Sequence, residues 1–314
     1  MKYITVQFSI HFTKPVEADT EPLFIIRSMI GKNLRSISCI SRKSTCPECL
    51  YNKTCAYSFL FESIIETSND TLPGRNRASH PYSLSGDLLR NKKEICDYSF
   101  KITLFEKAID FLPYIYAALV RSGKDGLFKS RVTFEVKSVI VGNKNILIEE
   151  NQLNLNFDVN NFNFCDDEKA CNANNDKSLC EKEVLIELKS PLRFKVQGKY
   201  TSNFTASDFF NCLFRRAKTL FMMYENEGEK NNNVFEKYKP SPSLEITQKN
   251  LTWKDINHYS ARQKNAMELG GVIGTFKIKG EFSKFDLDLL EFNKIANAGK
   301  NTNFGLGQID YWLR

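Results

Sequence analysis

Two stretches of this 314-residue chain carry residue types whose spacing could do chemistry. Near the C-terminus, Asn297-Ala298-Gly299-Lys300-Asn301-Thr302-Asn303-Phe304-Gly305-Leu306-Gly307 sets three glycines and a lysine in one short run, and Gly270-Gly271-Val272-Ile273-Gly274 stands upstream of it. Glycine at that density is costly in chain entropy, so it marks a backbone that turns sharply or is approached closely. The approaching group could be a phosphate, a side chain or another strand. The second stretch is Cys46-Pro47-Glu48-Cys49, with Cys39 before it and Cys55 beyond. One Cys-x-x-Cys turn can aim two sulfurs at one metal, so Cys39, Cys46, Cys49 and Cys55 are candidate ligands of a structural zinc. The other reading is a set of free thiols in a packed loop, since a second Cys-x-x-Cys is absent. Cys165, Cys171 and Cys180 are too irregularly spaced to define a site, and Cys96 and Cys212 read as packing residues.

These stretches need elements to hold them. Tyr3 to Phe12 alternates strictly, with Ile4, Val6, Phe8, Ile10 and Phe12 on one face, which predicts a strand with one buried side. Thr20-Glu21-Pro22 predicts a helix start, with Leu23, Ile26 and Ile30 at helical spacing and Gly31 closing it. A strand over Phe100 to Leu104 follows. A long apolar helix with Pro113 as a kink comes next, then an alternating segment from Arg131 to Ile140. After an Asn- and Asp-rich stretch, residues 151 to 180, the pattern repeats. It runs as a strand over Leu192 to Gln197, a helix striped by Phe210, Leu213, Ala217 and Leu220, and a strand within Leu251 to Tyr259. Thr275 to Phe282 alternates, Phe285 to Ile295 is helical, and a last strand runs from Phe304 to Trp312.

The order is β-α-β-β-α-β twice, which is an α+β class with tandem ferredoxin-like, RRM-like domains. The expected division is 1–145 for the first, with the cysteine segment inserted in it, 146–183 for a polar linker or insertion, and 184–314 for the second. Arg131, Lys137, Arg193, Lys195, Lys277 and Lys279 fall on polar strand positions, either as a solvated face or as an open-sheet platform for RNA.

Composition narrows the class. The apolar share of 42% and charged share of 26% are those of a globular protein. No apolar run approaches a membrane span, so no membrane partner is expected. The N-terminus alternates like a strand instead of carrying a cleavage pattern, and the expected compartment is the cytoplasm. Nine cysteines, an odd number, argue against a disulfide framework there. The formal charge of +7 fits an anionic partner.

Taken together, the ordered motifs resemble a known family. They are Cys46-Pro47-Glu48-Cys49 with Cys55-Ala56-Tyr57, His80-Pro81-Tyr82, Leu104-Phe105-Glu106-Lys107-Ala108, Leu112-Pro113-Tyr114 and Ser190-Pro191-Leu192-Arg193. Tyr259-Ser260-Ala261-Arg262-Gln263 and the two glycine turns complete the set. The chain is similar to the RAMP superfamily of CRISPR-associated proteins, and within it to the endoribonucleases that process precursor CRISPR RNA.

The resemblance implies cleavage within CRISPR repeat RNA without a metal or other cofactor. The ribose 2′-hydroxyl attacks the adjacent phosphate, leaving a 2′,3′-cyclic phosphate and a 5′-hydroxyl. Other CRISPR effector subunits are implied as further partners. Such chemistry needs a base, an acid and a cation on the phosphate. Histidine suits the first two because its pKa lies near neutrality. The chain has three histidines. His258, beside the Arg262-Gln263 motif, is the catalytic candidate, with His11 on the polar face of the first strand as the alternative and His80 as a packing residue. Many relatives carry a catalytic histidine in or just after the first helix. Here residues 20 to 45 hold none and offer Lys32, Arg35, Ser36, Arg42 and Lys43. Lys32 and Arg262 join His258 as catalytic candidates. Arg193, Arg215, Arg216, Gln263, Gly299, Lys300, Gly305 and Gly307 are the RNA-binding candidates, with Arg215 and Arg216 expected on the exposed side of a helix. The departure in the first helix keeps a second reading open, a non-catalytic RNA-binding RAMP subunit of an effector complex.

Overall fold

A computed structural model divides the chain into two units, Met1–Asn161 and Phe162–Arg314. It describes residues 1–17, 21–41, 45–65, 78–87, 94–164, 181–225, 235–236, 238–260 and 265–314.

In the first unit, strand β1 (Lys2–Glu17) keeps the alternation expected of it, with Ile4, Val6, Phe8, Ile10 and Phe12 at most 1% exposed. Helix α1 (Pro22–Ser38) starts at its proline, where a missing N–H costs no hydrogen bond. It does not stop at Gly31 but runs on to Ser38. Gly31 is a packing residue, because a Cβ there would come within 2.7 Å of the Phe61 ring. Strands β2 (Tyr82–Gly86) and β3 (Glu94–Phe105) follow. Helix α2 (Leu112–Asp125) then leads to β4 (Phe134–Val141). Pro113 lies at the start of α2, after a 3-10 turn over Glu106–Phe111, so it begins the helix instead of kinking it. Arg131 stands in a left-handed turn before β4, not in the strand. The sheet runs β2-β3-β1-β4, antiparallel throughout, with Lys144–Asn145 on its edge. The first strand is thus central, flanked by the third and fourth, as the ferredoxin-like order demands.

The second unit repeats this plan. Its strands are β5 (Glu181–Leu192), the short hairpin β6 (Lys195–Val196) and β7 (Lys199–Tyr200), and β8 (Glu245–Lys254). A second hairpin, β9 (Asn257–Ser260) and β10 (Asn265–Glu268), precedes β11 (Gly271–Glu281), and β12 (Ile309–Leu313) ends the chain. Helix α3 (Ala206–Tyr224) lies between β7 and β8, and α4 (Lys284–Ala296) between β11 and β12. The sheet order is β8-β11-β5-β12. Both helices open on reciprocal caps, Thr205 with Asp208 and Ser283 with Asp286, which satisfy backbone N–H groups that have no partner within the helix.

Two expectations move. The first strand of this unit is not Leu192 to Gln197 but the segment before it, where Val184, Ile186 and Leu188 are buried. The segment 146–183, expected as a linker or insertion, is largely exposed where it is described but is tied to both units at particular residues. Asn160 and Asn161 pair with Tyr3 and Lys2 of β1. Phe164 enters the second core, its ring 4.9–5.6 Å from those of Phe221, Phe235, Phe285 and Phe292. Among the described residues no helix is long and apolar enough to cross a membrane.

Candidate nucleic-acid interface

The glycine-rich run begins where α4 ends. Its backbone is stitched to the end of β5 and the residue that follows it. Lys300 N donates to Arg193 O at 2.8 Å, Gly307 N to Pro191 O at 3.0 Å, and Ala298 N to Gly307 O at 2.7 Å. Gly299 and Gly307 have φ of +74° and +73°, and a Cβ on Gly307 would overlap the Ala298 carbonyl. A Cβ on Gly299 would come within 2.6 Å of Arg193 O. Of the three approaching groups open to this loop, another stretch of backbone is the one observed. Gly305 and Gly307 are buried, so these two RNA-binding candidates shape the loop and do not face a ligand. Lys300 projects from it, exposed.

The same stitching places Arg193. Its Nη1 donates to Gly270 O at 2.7 Å, so this one arginine joins the two glycine turns. Its guanidinium stacks 3.8 Å from the ring centre of Tyr200. Lys195 Nζ lies 5.1 Å and Lys300 Nζ 5.8 Å from that centre. Tyr200 reaches the cations through the β6–β7 hairpin, whose turn residues Gln197 and Gly198 both have positive φ, as a two-residue hairpin requires. Sequence reasoning named Arg193 and Lys300 but missed Tyr200. The available signal was the Gln197-Gly198 dipeptide, which folds Tyr200 back onto Lys195. Cation–ring contacts at exposed positions each contribute about 0.5–1 kcal/mol. Among the described residues none of the three cations is paired with a carboxylate. By contrast, Lys137 and Lys277 of the expected sheet platform are neutralised by Glu135 and Glu183 at 2.6 and 3.2 Å.

The helix arginines separate. Arg215 is exposed and donates from Nε to Asn211 O, one turn back. Arg216, expected on the same exposed side, is only 4% exposed. Its Nη2 donates to Ala296 O at the C-terminal end of α4, and its Nε has no partner. Burial pushes its pKa down to about 10. The helical stripe of Leu213, Ala217 and Leu220 carries it inward, so it holds the two helices together and is not an RNA contact.

The catalytic candidates fall on different elements of the two units. His258 lies in β9, opposite Met267. Arg262 and Gln263 lie outside the described residues, as do Arg42 and Lys43. His11 holds Asp97 at 2.7 Å and faces Glu135 across the sheet, an acidic setting that repels phosphate. His80 bonds Ser63 Oγ at 2.9 Å and stacks on Tyr82, as expected of a packing residue. Lys32 opens on a cleft of about 480 Å³ that also holds Asp125, Lys129 and Arg131. Its Nζ is 3.5 Å from Asp125, which Asn33 also bonds at 3.3 Å. Phe128 and Arg131 both have positive φ in the turn that rims this cleft, a costly conformation for large side chains.

Cys39, Cys46, Cys49 and Cys55 line one cavity of about 180 Å³. All four are free and half-buried. Burial, with Glu62 nearby, raises the Cys46 thiol above its usual range. Among the described residues no three His, Cys, Asp or Glu side chains stand close enough to hold a metal ion. Cys165, Cys171 and Cys180 fall outside the described residues.

Two family models divide the chain. An N-terminal-domain model matches residues 1–157, and the model of the CRISPR-associated endoribonuclease Cas6 matches residues 186–309. Residues 186–309 thus carry a Cas6-type domain of the CRISPR RNA-processing family. The segment matched by the Cas6 model contains Arg193, Tyr200, both glycine turns and His258, while the Lys32 cleft lies in the part matched by the N-terminal-domain model. A solved Cas6 product complex is 14% identical over 99% of each chain with a TM-score of 0.51, a likeness of fold. A Thermus thermophilus Cas6 is 13% identical over 99% of this chain and 98% of its own, with a TM-score of 0.48. No curated protein matches the chain.

Proposed function

We propose that the chain binds the repeat RNA of CRISPR precursor transcripts in the cytoplasm and cuts it by 2′-hydroxyl attack without a metal ion. The observation that carries this reading is the gathering of Arg193, Lys195 and Lys300 beside the glycine-rich loop, inside the segment matched by the Cas6 model. The base takes the 2′-hydroxyl proton as the 2′-oxygen bonds to phosphorus, the bond from phosphorus to the 5′-oxygen breaks, and that oxygen takes a proton from water. The products are a 2′,3′-cyclic phosphate and a 5′-hydroxyl. His258 is assigned the base. The two other histidines are committed, His11 to Asp97 and His80 to Ser63. Lys32 and Arg262 are assigned the charge that builds on the phosphoryl oxygens, where a fixed cation acts most strongly.

The test is incubation with the organism's own repeat RNA in EDTA, with mapping of the ends. Cleavage to a cyclic phosphate is expected, and a 2′-deoxy residue at the cut abolishes it. His258→Ala lowers the single-turnover rate by about 10²–10⁴-fold, the range for a positioned acid or base. Tight binding with no products over long incubation would remove the cleavage reading and leave a non-catalytic RNA-binding subunit.

A structural zinc on Cys39, Cys46, Cys49 and Cys55 is a separate proposal, supported by the one cavity these residues line and requiring their loop to close around the ion, since among the described residues no three ligands are in place for it. It predicts one tightly held zinc per chain, and metal-free protein of unchanged stability would refute it.

A further inference from the structure

We propose that Arg193, Lys195 and Lys300 form a seat for one RNA backbone phosphodiester, with Tyr200 as the residue that positions the three cations. This rests on the RNA-binding reading above and assigns a role to a residue outside it.

Three positive groups lie between 3.8 and 5.8 Å from one ring centre. Like charges this close repel, and exposed lysines are free to swing apart unless something holds them. The negative face of an aromatic ring is such a hold. Several other strand and helix cations of this unit meet carboxylates. Lys277 meets Glu183, and Lys189 and Lys294 share Asp310. The cluster at Tyr200 has no such carboxylate among the described residues, so an anion completes it.

The frame is fixed before any ligand arrives. Arg193 is anchored through its own carbonyl, which accepts from Lys300 N, and through Nη1, which donates to Gly270 O. The remaining guanidinium N–H groups keep donor capacity. Lys195 and Tyr200 sit directly opposite each other in the hairpin register. A base stacked on Tyr200 would have to share the ring with a guanidinium already at 3.8 Å. Phosphate between the cations is therefore favoured over a stacked base.

The experiment measures Kd against salt for the full chain with two probes, a repeat RNA and a non-repeat RNA of equal length. A phosphate contact weakens binding to all sequences alike and contributes about 1 to the slope of log K against log salt. Lys195→Ala and Lys300→Ala are each expected to lower that slope by about 1 for both probes. Tyr200→Leu, which removes no charge, lowers it too, and Tyr200→Phe restores it because the ring face is kept. Thermal unfolding of each variant separates this from loss of the fold.

If Tyr200→Leu weakens binding but leaves the slope intact, the ring stacks on a base and the positioning role is refuted. Unchanged binding in Tyr200→Leu and Lys195→Ala would overturn the seat altogether. Should the wild type show no preference for the repeat probe while the slopes still fall, the seat stands and the CRISPR repeat reading fails. If the repeat is preferred and cut but no slope moves, the reverse holds. Absence of RNA binding by the wild type would overturn both.

Discussion

Arg215 and Arg216 are neighbours in one helix with opposite fates. One side chain reaches solvent. The other is buried against the end of α4 with an Nε that bonds nothing. A buried guanidinium without an anion is held by packing and by the carbonyls at a helix C-terminus, where positive charge is favoured. Arg216→Ala removes both and leaves a void, so it is expected to destabilise the fold by roughly 2–4 kcal/mol in denaturant unfolding. Its RNA salt slope, measured on the protein still folded, stays at the wild-type value. Arg215→Ala does the converse, with stability within about 0.5 kcal/mol of wild type. A slope that falls for Arg216→Ala would restore it as an RNA contact. The amino-acid sequence offers both as cations on one helix. Only the depth of the stripe set by Leu213, Ala217 and Leu220 tells them apart, and that depth depends on what α4 brings against it.

At the scale of elements, the glycine-rich loop is a backbone clasp first. Gly307 combines φ +73° with the Ala298 carbonyl where a Cβ would be. Gly307→Ala is expected to cost roughly 1–3 kcal/mol from the dihedral alone, and more from the overlap. Because the clasp sets Lys300 and Arg193, RNA affinity should fall with it, although neither cation is altered. Wild-type stability in this variant would mean the loop is not held as described. Elements with strict alternation, such as β1, were legible from the sequence. So were the helix of Phe210 and Leu220 and the glycine loop as the entry to the last strand. The strand β5 was not, because Leu185 breaks the alternation of Val184, Ile186 and Leu188 and the segment follows an Asn- and Asp-rich stretch. Gly31 and Pro113 misled for the same reason. Each normally punctuates a helix, but a ring packed on Gly31 and a 3-10 turn before Pro113 override the local signal. In the site, Lys300 was legible as a cation beside glycines and Arg193 as a polar strand position in the Ser190-Pro191-Leu192-Arg193 motif. Tyr200 was not, since its place depends on a hairpin turn and a cross-strand register.

At the scale of the whole molecule, the roles fall on separate units. The cations at Tyr200 and His258 belong to Phe162–Arg314, and the Lys32 cleft belongs to Met1–Asn161. Each unit has its own four-stranded frame and apolar core, which is what independent folding requires. A fragment of residues 162–314 is therefore expected to unfold cooperatively on its own. It should also bind RNA with a salt slope that still drops on Lys300→Ala. Lacking Lys32, it should cut more slowly than the full chain. Where the fragment starts matters more than the strand boundary suggests. Beginning at 184 discards Phe164, whose ring touches four other phenylalanines in the core. Removing a buried phenylalanine costs about 3–5 kcal/mol, a large part of a domain's stability. The fragment 184–314 should accordingly be much less stable than 162–314. Because it also loses the first residues of β5, Phe164→Ala in the longer fragment is the cleaner comparison. Near-wild-type stability in that variant would place Phe164 outside the core and return the segment before β5 to the role of a plain linker.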